Sequence, residues 1–174
     1  PKFAEAQVVK PEDARIKAEH IEYASPGGSG TMRGYFVRPA KPAGKLPGIL
    51  VIHENRGLNP HIEDIARRLA LEGFLALAPD LLSPLGGTPA NEDAAREMIG
   101  KLDGPQTIRN LSFAVTFLAK HAQATGKVGA IGFCWGGGMA DFNICPQYPQ
   151  TLAVSGTSLE QLGQFISCSF ILKY

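Results

Sequence analysis

The chain has 174 residues, 44% hydrophobic and 19% charged, with a formal net charge of +1 at neutral pH. That is apolar sequence enough for one domain with a substantial core, and a charge so close to zero leaves no electrostatic footprint for nucleic acid or an anionic membrane. Three cysteines make neither a disulfide framework nor a zinc-ligand spacing, so a reducing, cytoplasmic setting is expected, with a periplasmic one open if a leader preceded Pro1.

Residues 1–18 are polar and mixed and read as an N-terminal surface arm. Residues 19–25 and 31–39 alternate in polarity around Ser25-Pro26-Gly27-Gly28-Ser29-Gly30, the signature of an antiparallel hairpin at a sheet edge. Leu46 to His53 is continuously apolar in its middle, as expected of a strand covered on both faces. After the polar loop Glu54 to Asn59, Asn59 suits an N-cap and Pro60 a first helical position. Ile62, Ile65, Ala66, Leu69 and Ala70 form a helical stripe, and Gly73 suits the stop. On that helix Glu63 with Arg67, and Asp64 with Arg68, read as exposed pairs of a solvated face.

Phe74 to Ala78 is the next short buried strand, ending at Pro79-Asp80, and a Gly- and Pro-rich loop runs from Leu81 to Ala90. Asn91-Glu92-Asp93 starts a short helix, and Ile108, Leu111, Val115, Leu118 and Ala119 mark a longer one that Gly126 is expected to end. Lys127 to Phe133 is then a strand. Alternation of strands and helices after a hairpin predicts an α/β fold with a mostly parallel sheet and helices on both faces. Residues 47–53, 74–78 and 127–133 are expected to be neighbouring parallel strands. Further on, 152–154 and 170–172 suggest strands and 159–165 a short helix. No apolar run approaches the length of a membrane span.

The stretch that carries chemistry is Gly132-Phe133-Cys134-Trp135-Gly136-Gly137-Gly138. Strand, Gly-x-nucleophile-x-Gly, helix is the layout of a nucleophile elbow, in which the turn is so tight that the positions two before and two after the nucleophile have no room for a side chain. Cys134 stands at the nucleophile position, and the backbone N–H of Trp135 points where an oxyanion would form. A buried cysteine in a glycine-rich turn is the plainer alternative. The second oxyanion donor is expected from the loop after the earlier buried strand, at Asn55, with Glu54 in reach of the thiol and Arg56 placed for an anionic substrate or else held in a surface ion pair. His53 reads as a strand-end histidine bound to backbone rather than as a catalytic base. His61 and His121 are expected to face solvent.

Ile49 to Leu58, Ala76-Leu77-Ala78-Pro79-Asp80-Leu81 and Gly132 to Gly138 together resemble the dienelactone hydrolase (carboxymethylenebutenolidase) family of the α/β-hydrolases. The resemblance covers about residues 19–140. It implies hydrolysis of a small-molecule lactone or ester by a Cys-His-Asp triad with Cys134 as nucleophile. Glu54 matches a glutamate that contacts the resting thiol and keeps it protonated, which would shield it from oxidation. No metal or organic cofactor is implied, and neither nucleic acid nor membrane is an expected partner.

Two departures stand out. The loop Leu82-Ser83-Pro84-Leu85-Gly86-Gly87 lacks the arginine with which dienelactone-binding members hold a carboxylate. No histidine follows Cys134, since His20, His53, His61 and His121 all precede it, and the only later acids are Asp141 and Glu160. The expectation is therefore a single α/β-hydrolase domain over 1–174 whose C-terminal strands and helices are missing, with the nucleophile half of a site. A non-catalytic remnant or binding module of the same fold is the alternative. A redox role for the cysteines ranks last, because no C-x-x-C is present.

Overall fold

A computed structural model describes residues 7–140 and the backbone of residues 166–169. Six strands form one sheet in the order β1-β2-β4-β3-β5-β6: β1 Ile16–Ser25, β2 Gly30–Pro39, β3 Leu46–Ile52, β4 Leu75–Asp80, β5 Ala124–Phe133 and β6 Ile166–Ser169. The helices are α1 Pro60–Leu71, α2 Glu92–Ile99, α3 Gly104–Lys120 and α4 Trp135–Met139, with a short 3-10 turn at Ser83–Leu85. β3 pairs in parallel with β4 and with β5, so the three apolar segments are neighbouring parallel strands as expected. β1 and β2 form the antiparallel edge hairpin, and β2 runs antiparallel to β4. β1, β3, β4 and β5 therefore point the same way, and β6 returns antiparallel along β5. The expected elements at 152–154, 159–165 and 170–172 lie outside the described residues.

Connection handedness distributes the helices. β4 lies on one side of β3 and β5 on the other, so the right-handed crossovers through α1 and α3 fall on opposite faces. On the α1 face Ile62, Ala66 and Ala70 pack against Val37, Ile49, Val51, Ala76 and Ala78. On the α3 face Leu111, Ala114, Val115 and Leu118 pack against Phe36, Leu50, Ile52, Leu77 and Val128. β4 is buried at every position because both layers cover it. Each fully buried Leu or Ile contributes about 1.5–3 kcal/mol relative to exposure.

Caps set the helix starts. Asn59 Oδ1 accepts the Ile62 N–H at 3.1 Å, with Pro60 behind it. Asn91 accepts from Asp93 and Ala94, and Asp103 from Gln106. The far end of α3 differs from expectation. It stops at Lys120, where the His121 ring accepts the Gln123 N–H, and Gly126 instead sits inside β5 at φ +88°. His121 is half-buried, its ring packed near Phe36 and Phe117.

The charges of α1 are not the solvated face that their spacing suggests. Arg67 has no exposed surface and Asp64 is 2% exposed; only Arg68 stays in solvent. Arg67 donates from Nε to the Val9 carbonyl at 2.6 Å, from Nη1 to the Tyr35 hydroxyl at 3.0 Å and from Nη2 to Gln7 Oε1 at 3.0 Å. Asp64 accepts the Val9 N–H at 2.8 Å and lies 3.7 Å from Arg67 Nη2. The reason lies outside the helix. The N-terminal arm crosses α1 here, burying Val9 and covering both charges. Of the expected arm, residues 16–18 already belong to β1.

Candidate active site

The loops after β3 and β5 leave adjacent parallel strands whose ends are in register, Ile52 opposite Gly132. One leads to α1, on one face. The other leads to α4, whose Trp135, Met139 and Ala140 pack with the opposite cluster. Departure toward opposite faces is the arrangement that, in open α/β sheets, places the ligand crevice at the carboxyl ends of the strands.

The β5–α4 turn is built by exclusion. A Cβ on Gly132 would overlap the Gly136 carbonyl, and a Cβ on Gly136 would lie 2.5 Å from the His53 oxygen and 2.6 Å from that of Ile52. Backbone meets backbone at both positions, so no side chain fits. Between them Cys134 adopts φ +51°, ψ −111°, and it is the one non-glycine residue at positive φ among the described residues. Such a conformation costs of order 1–3 kcal/mol and persists where surrounding structure enforces it. The Gly137 N–H closes the turn onto the Cys134 carbonyl at 3.1 Å. Cys134 is exposed, so the buried-cysteine alternative does not describe it. Its Sγ and the Glu54 carboxylate are not hydrogen-bonded to each other. Cys145 and the Cys168 side chain lie outside the described residues.

The facing loop starts at His53, which is fully buried. Its Nδ1 is 2.7 Å from the Glu54 carbonyl, which can only accept, and its Nε2 accepts the Leu81 N–H at 3.2 Å. The ring is therefore neutral, with its proton on Nδ1. Burial pushes its pKa below the ordinary value of 6.5, against the opposing effect of the hydrogen bond to Glu54. Trp135 stacks on this ring at 5.9 Å between centroids and packs against Leu82, Ala95 and Ile99. Both ring nitrogens are committed, which agrees with a backbone-bound strand-end histidine.

Glu54, Asn55 and Arg56 are half-buried. Arg56 Nη1 lies 3.5 Å from Glu92 Oε2 at the start of α2, the ion-pair alternative for this residue. His61, expected in solvent, is half-buried with its ring edge toward Phe133 at 6.3 Å. No group of His, Cys, Asp and Glu among the described residues could hold a metal ion.

Two residues escaped the sequence reading. Asp80, 7% exposed, accepts from the Leu82 N–H, the Thr88 N–H and the Thr88 hydroxyl. Thr88 Oγ1 in turn accepts the Leu58 N–H at 2.9 Å, 30 positions away. Asp80 stood inside a recognised motif, but nothing in the local sequence marks Thr88. The loop that lacks an arginine receives one from β2, since Arg33 donates to the Gly86 carbonyl. A cleft of about 430 Å³ lined by His20, Arg33, Glu63, Asp80 and Thr88 adjoins this region, and neither Cys134 nor residues 54–56 line it.

The dienelactone hydrolase family profile matches residues 32–154. The chain belongs to the dienelactone hydrolase family. It is 34% identical over 138 residues to an Escherichia coli (strain K12) protein named as a carboxymethylenebutenolidase, covering 78% of this chain and 50% of that one. It is 54% identical over 103 residues to another protein of that strain, named as a hydrolase fragment, YghX, covering 59% of this chain and 88% of that one. Among solved structures it is similar to a dienelactone hydrolase-like promiscuous phosphotriesterase, P91, from metagenomic libraries, with 29% identity and a TM-score of 0.62 over 76% of this chain and 55% of that one. The chain spans about half the length of the relatives named carboxymethylenebutenolidase.

Proposed function

We propose that the protein hydrolyses carboxylic esters or lactones of small molecules through Cys134 as nucleophile. The observation that carries this reading is the backbone of Cys134: an exposed thiol at positive φ, bracketed by two obligatory glycines, at the carboxyl end of β5. That is the geometry a nucleophile elbow requires. In the proposed reaction the Cys134 thiolate attacks the ester carbonyl, and the Trp135 and Asn55 amides stabilise the oxyanion. The acyl C–O bond breaks and the alcohol departs with the proton that the Cys134 thiol gave up; water then cleaves the thioester, its hydroxyl going to the acid and its proton restoring the thiol. Glu54, half-buried in the facing loop, is not hydrogen-bonded to the thiol, so the thiol-holding role that the resemblance implies for it has no part in this reaction; Arg56 exchanges its exposed partner Glu92 for an anionic group on the substrate. The general base is not His53, whose ring nitrogens are both occupied.

The test is p-nitrophenyl acetate hydrolysis by the 174-residue chain and by the longest natural form of the protein. Any natural form that extends beyond residue 174 is expected to turn over, and Cys134→Ala to abolish it. The 174-residue chain is expected to release one nitrophenolate per Cys134 and then slow by a factor on the order of 10⁴ or more, the scale of removing triad members in subtilisin. Sustained turnover that survives Cys134→Ala overturns the reading. A non-catalytic remnant is the second reading, favoured by the similarity to a relative named as a fragment. It expects neither burst nor turnover in either form.

A further inference from the structure

We infer that Thr88, oriented by Asp80, is a positioning residue for the loop Glu54–Leu58, and through that loop for oxyanion stabilisation; this rests on the reading of Cys134 as the nucleophile. The loop leaves β3 and crosses to α1 with few restraints of its own. At its entry it is fixed by His53, which donates to the Glu54 carbonyl and accepts the Leu81 N–H. At its exit the Leu58 N–H donates to Thr88 Oγ1 at 2.9 Å. Both anchors tie the β3 loop to the loop after β4, one at each end of the segment carrying Glu54, Asn55 and Arg56.

The Thr88 hydroxyl is not free to turn. It has one proton, and it gives that proton to Asp80 Oδ1 at 2.8 Å, which leaves an oxygen lone pair for the Leu58 amide. Asp80 is fixed in turn by the Thr88 N–H at 3.0 Å and the Leu82 N–H at 3.1 Å. A charged acceptor makes these bonds stronger than neutral ones, and in a buried site the chain polarises cooperatively. Shape adds to charge. Gly57 turns at φ +72°, and a Cβ there would lie 2.7 Å from Thr88 Cγ2 and 3.0 Å from its Cβ. The Thr88 side chain therefore fills the space that a side chain at position 57 would need, next to Arg56 and two residues from Asn55.

The function of such a device is preorganisation. An oxyanion donor acts only if it is already aimed when charge develops, and a misplacement of about 1 Å costs on the order of 100-fold. Loosening the exit of the loop should therefore reduce kcat while leaving substrate capture nearly intact.

The experiment uses the longest natural form of the protein with Thr88→Val, which keeps the branched shape and loses the hydroxyl, and Thr88→Ser, which keeps the hydroxyl. Thr88→Val is expected to lower kcat for p-nitrophenyl acetate about 10-fold or more with KM within about 3-fold, and Thr88→Ser to retain kcat within about 3-fold. Amide exchange at Leu58 should quicken in Thr88→Val and remain slow in Thr88→Ser. An unchanged kcat in Thr88→Val, with Cys134-dependent turnover in the wild type, overturns this inference alone. Equal losses in both variants, or unchanged Leu58 exchange in Thr88→Val, also overturn it. A wild type without Cys134-dependent turnover overturns the functional reading instead, and the catalytic role of Thr88 falls with it.

Discussion

Arg67→Met is the sharpest test of how the fold is held. Methionine fills a similar volume, so the substitution removes charge and hydrogen bonds while leaving little cavity. Three bonds disappear, to Val9, Tyr35 and Gln7. Bonds from a charged donor contribute about 1.5–3 kcal/mol each, for a gross loss of about 4.5–9 kcal/mol. Desolvation of the guanidinium, an opposing cost of several kcal/mol, disappears at the same time. Asp64 stays behind, 3% exposed at its side chain and 3.7 Å from where the guanidinium was, now without its countercharge. The net expectation is a loss of about 3–5 kcal/mol, the range for breaking one partner out of a buried pair. Urea unfolding followed by circular dichroism, at unchanged m-value, reads it directly. The double variant with Asp64→Asn should lose less than the sum of the two single losses, with a coupling of about 0.5–3 kcal/mol. A loss below about 1 kcal/mol in Arg67→Met, or strict additivity, would show that the arm and helix are not joined through this pair.

The turn and the buried histidine give two further expectations. Gly136→Ala should cost about 1–3 kcal/mol or more through overpacking against the Ile52 and His53 carbonyls, read as a lower urea midpoint; wild-type stability would mean that α4 does not approach β3 this closely. His53 has its folded pKa below 6.5, so as pH falls beneath 6.5 the unfolded chain takes up a proton that the folded one refuses. Stability from this site is therefore complete above pH 6.5 and declines as pH falls through the lowered folded value, and His53→Asn should flatten that slope in urea midpoints measured from pH 7.5 to 5. An unchanged slope would locate the acid sensitivity elsewhere, for instance at His121, whose pKa is also lowered.

Local pattern determined the parts of this protein that answer to local physics. The apolar runs within β3 and β4 are strands because both their faces are covered, and their lack of alternation already says so. Asn59 caps α1 because an Asn side chain before Pro and an apolar stripe has a free N–H to satisfy. Gly132, Cys134 and Gly136 were legible because a turn this tight excludes side chains at fixed spacing, whatever surrounds it. Tertiary structure alone decided the rest. The spacing of Glu63, Asp64, Arg67 and Arg68 is that of exposed pairs, and Arg67 became a buried hub because residues 7–9, far off in sequence, cross the helix and supply acceptors that no helical pattern encodes. Thr88 likewise reads as one polar residue in a Gly- and Pro-rich loop. It acquires meaning when the parallel pairing of β3 with β4 sets their carboxyl ends side by side and brings the Leu58 amide onto its hydroxyl. Periodicity reports how a segment meets its own surroundings. Which segments become those surroundings depends on long-range packing, and that is where the restraint on the loop facing Cys134 resides.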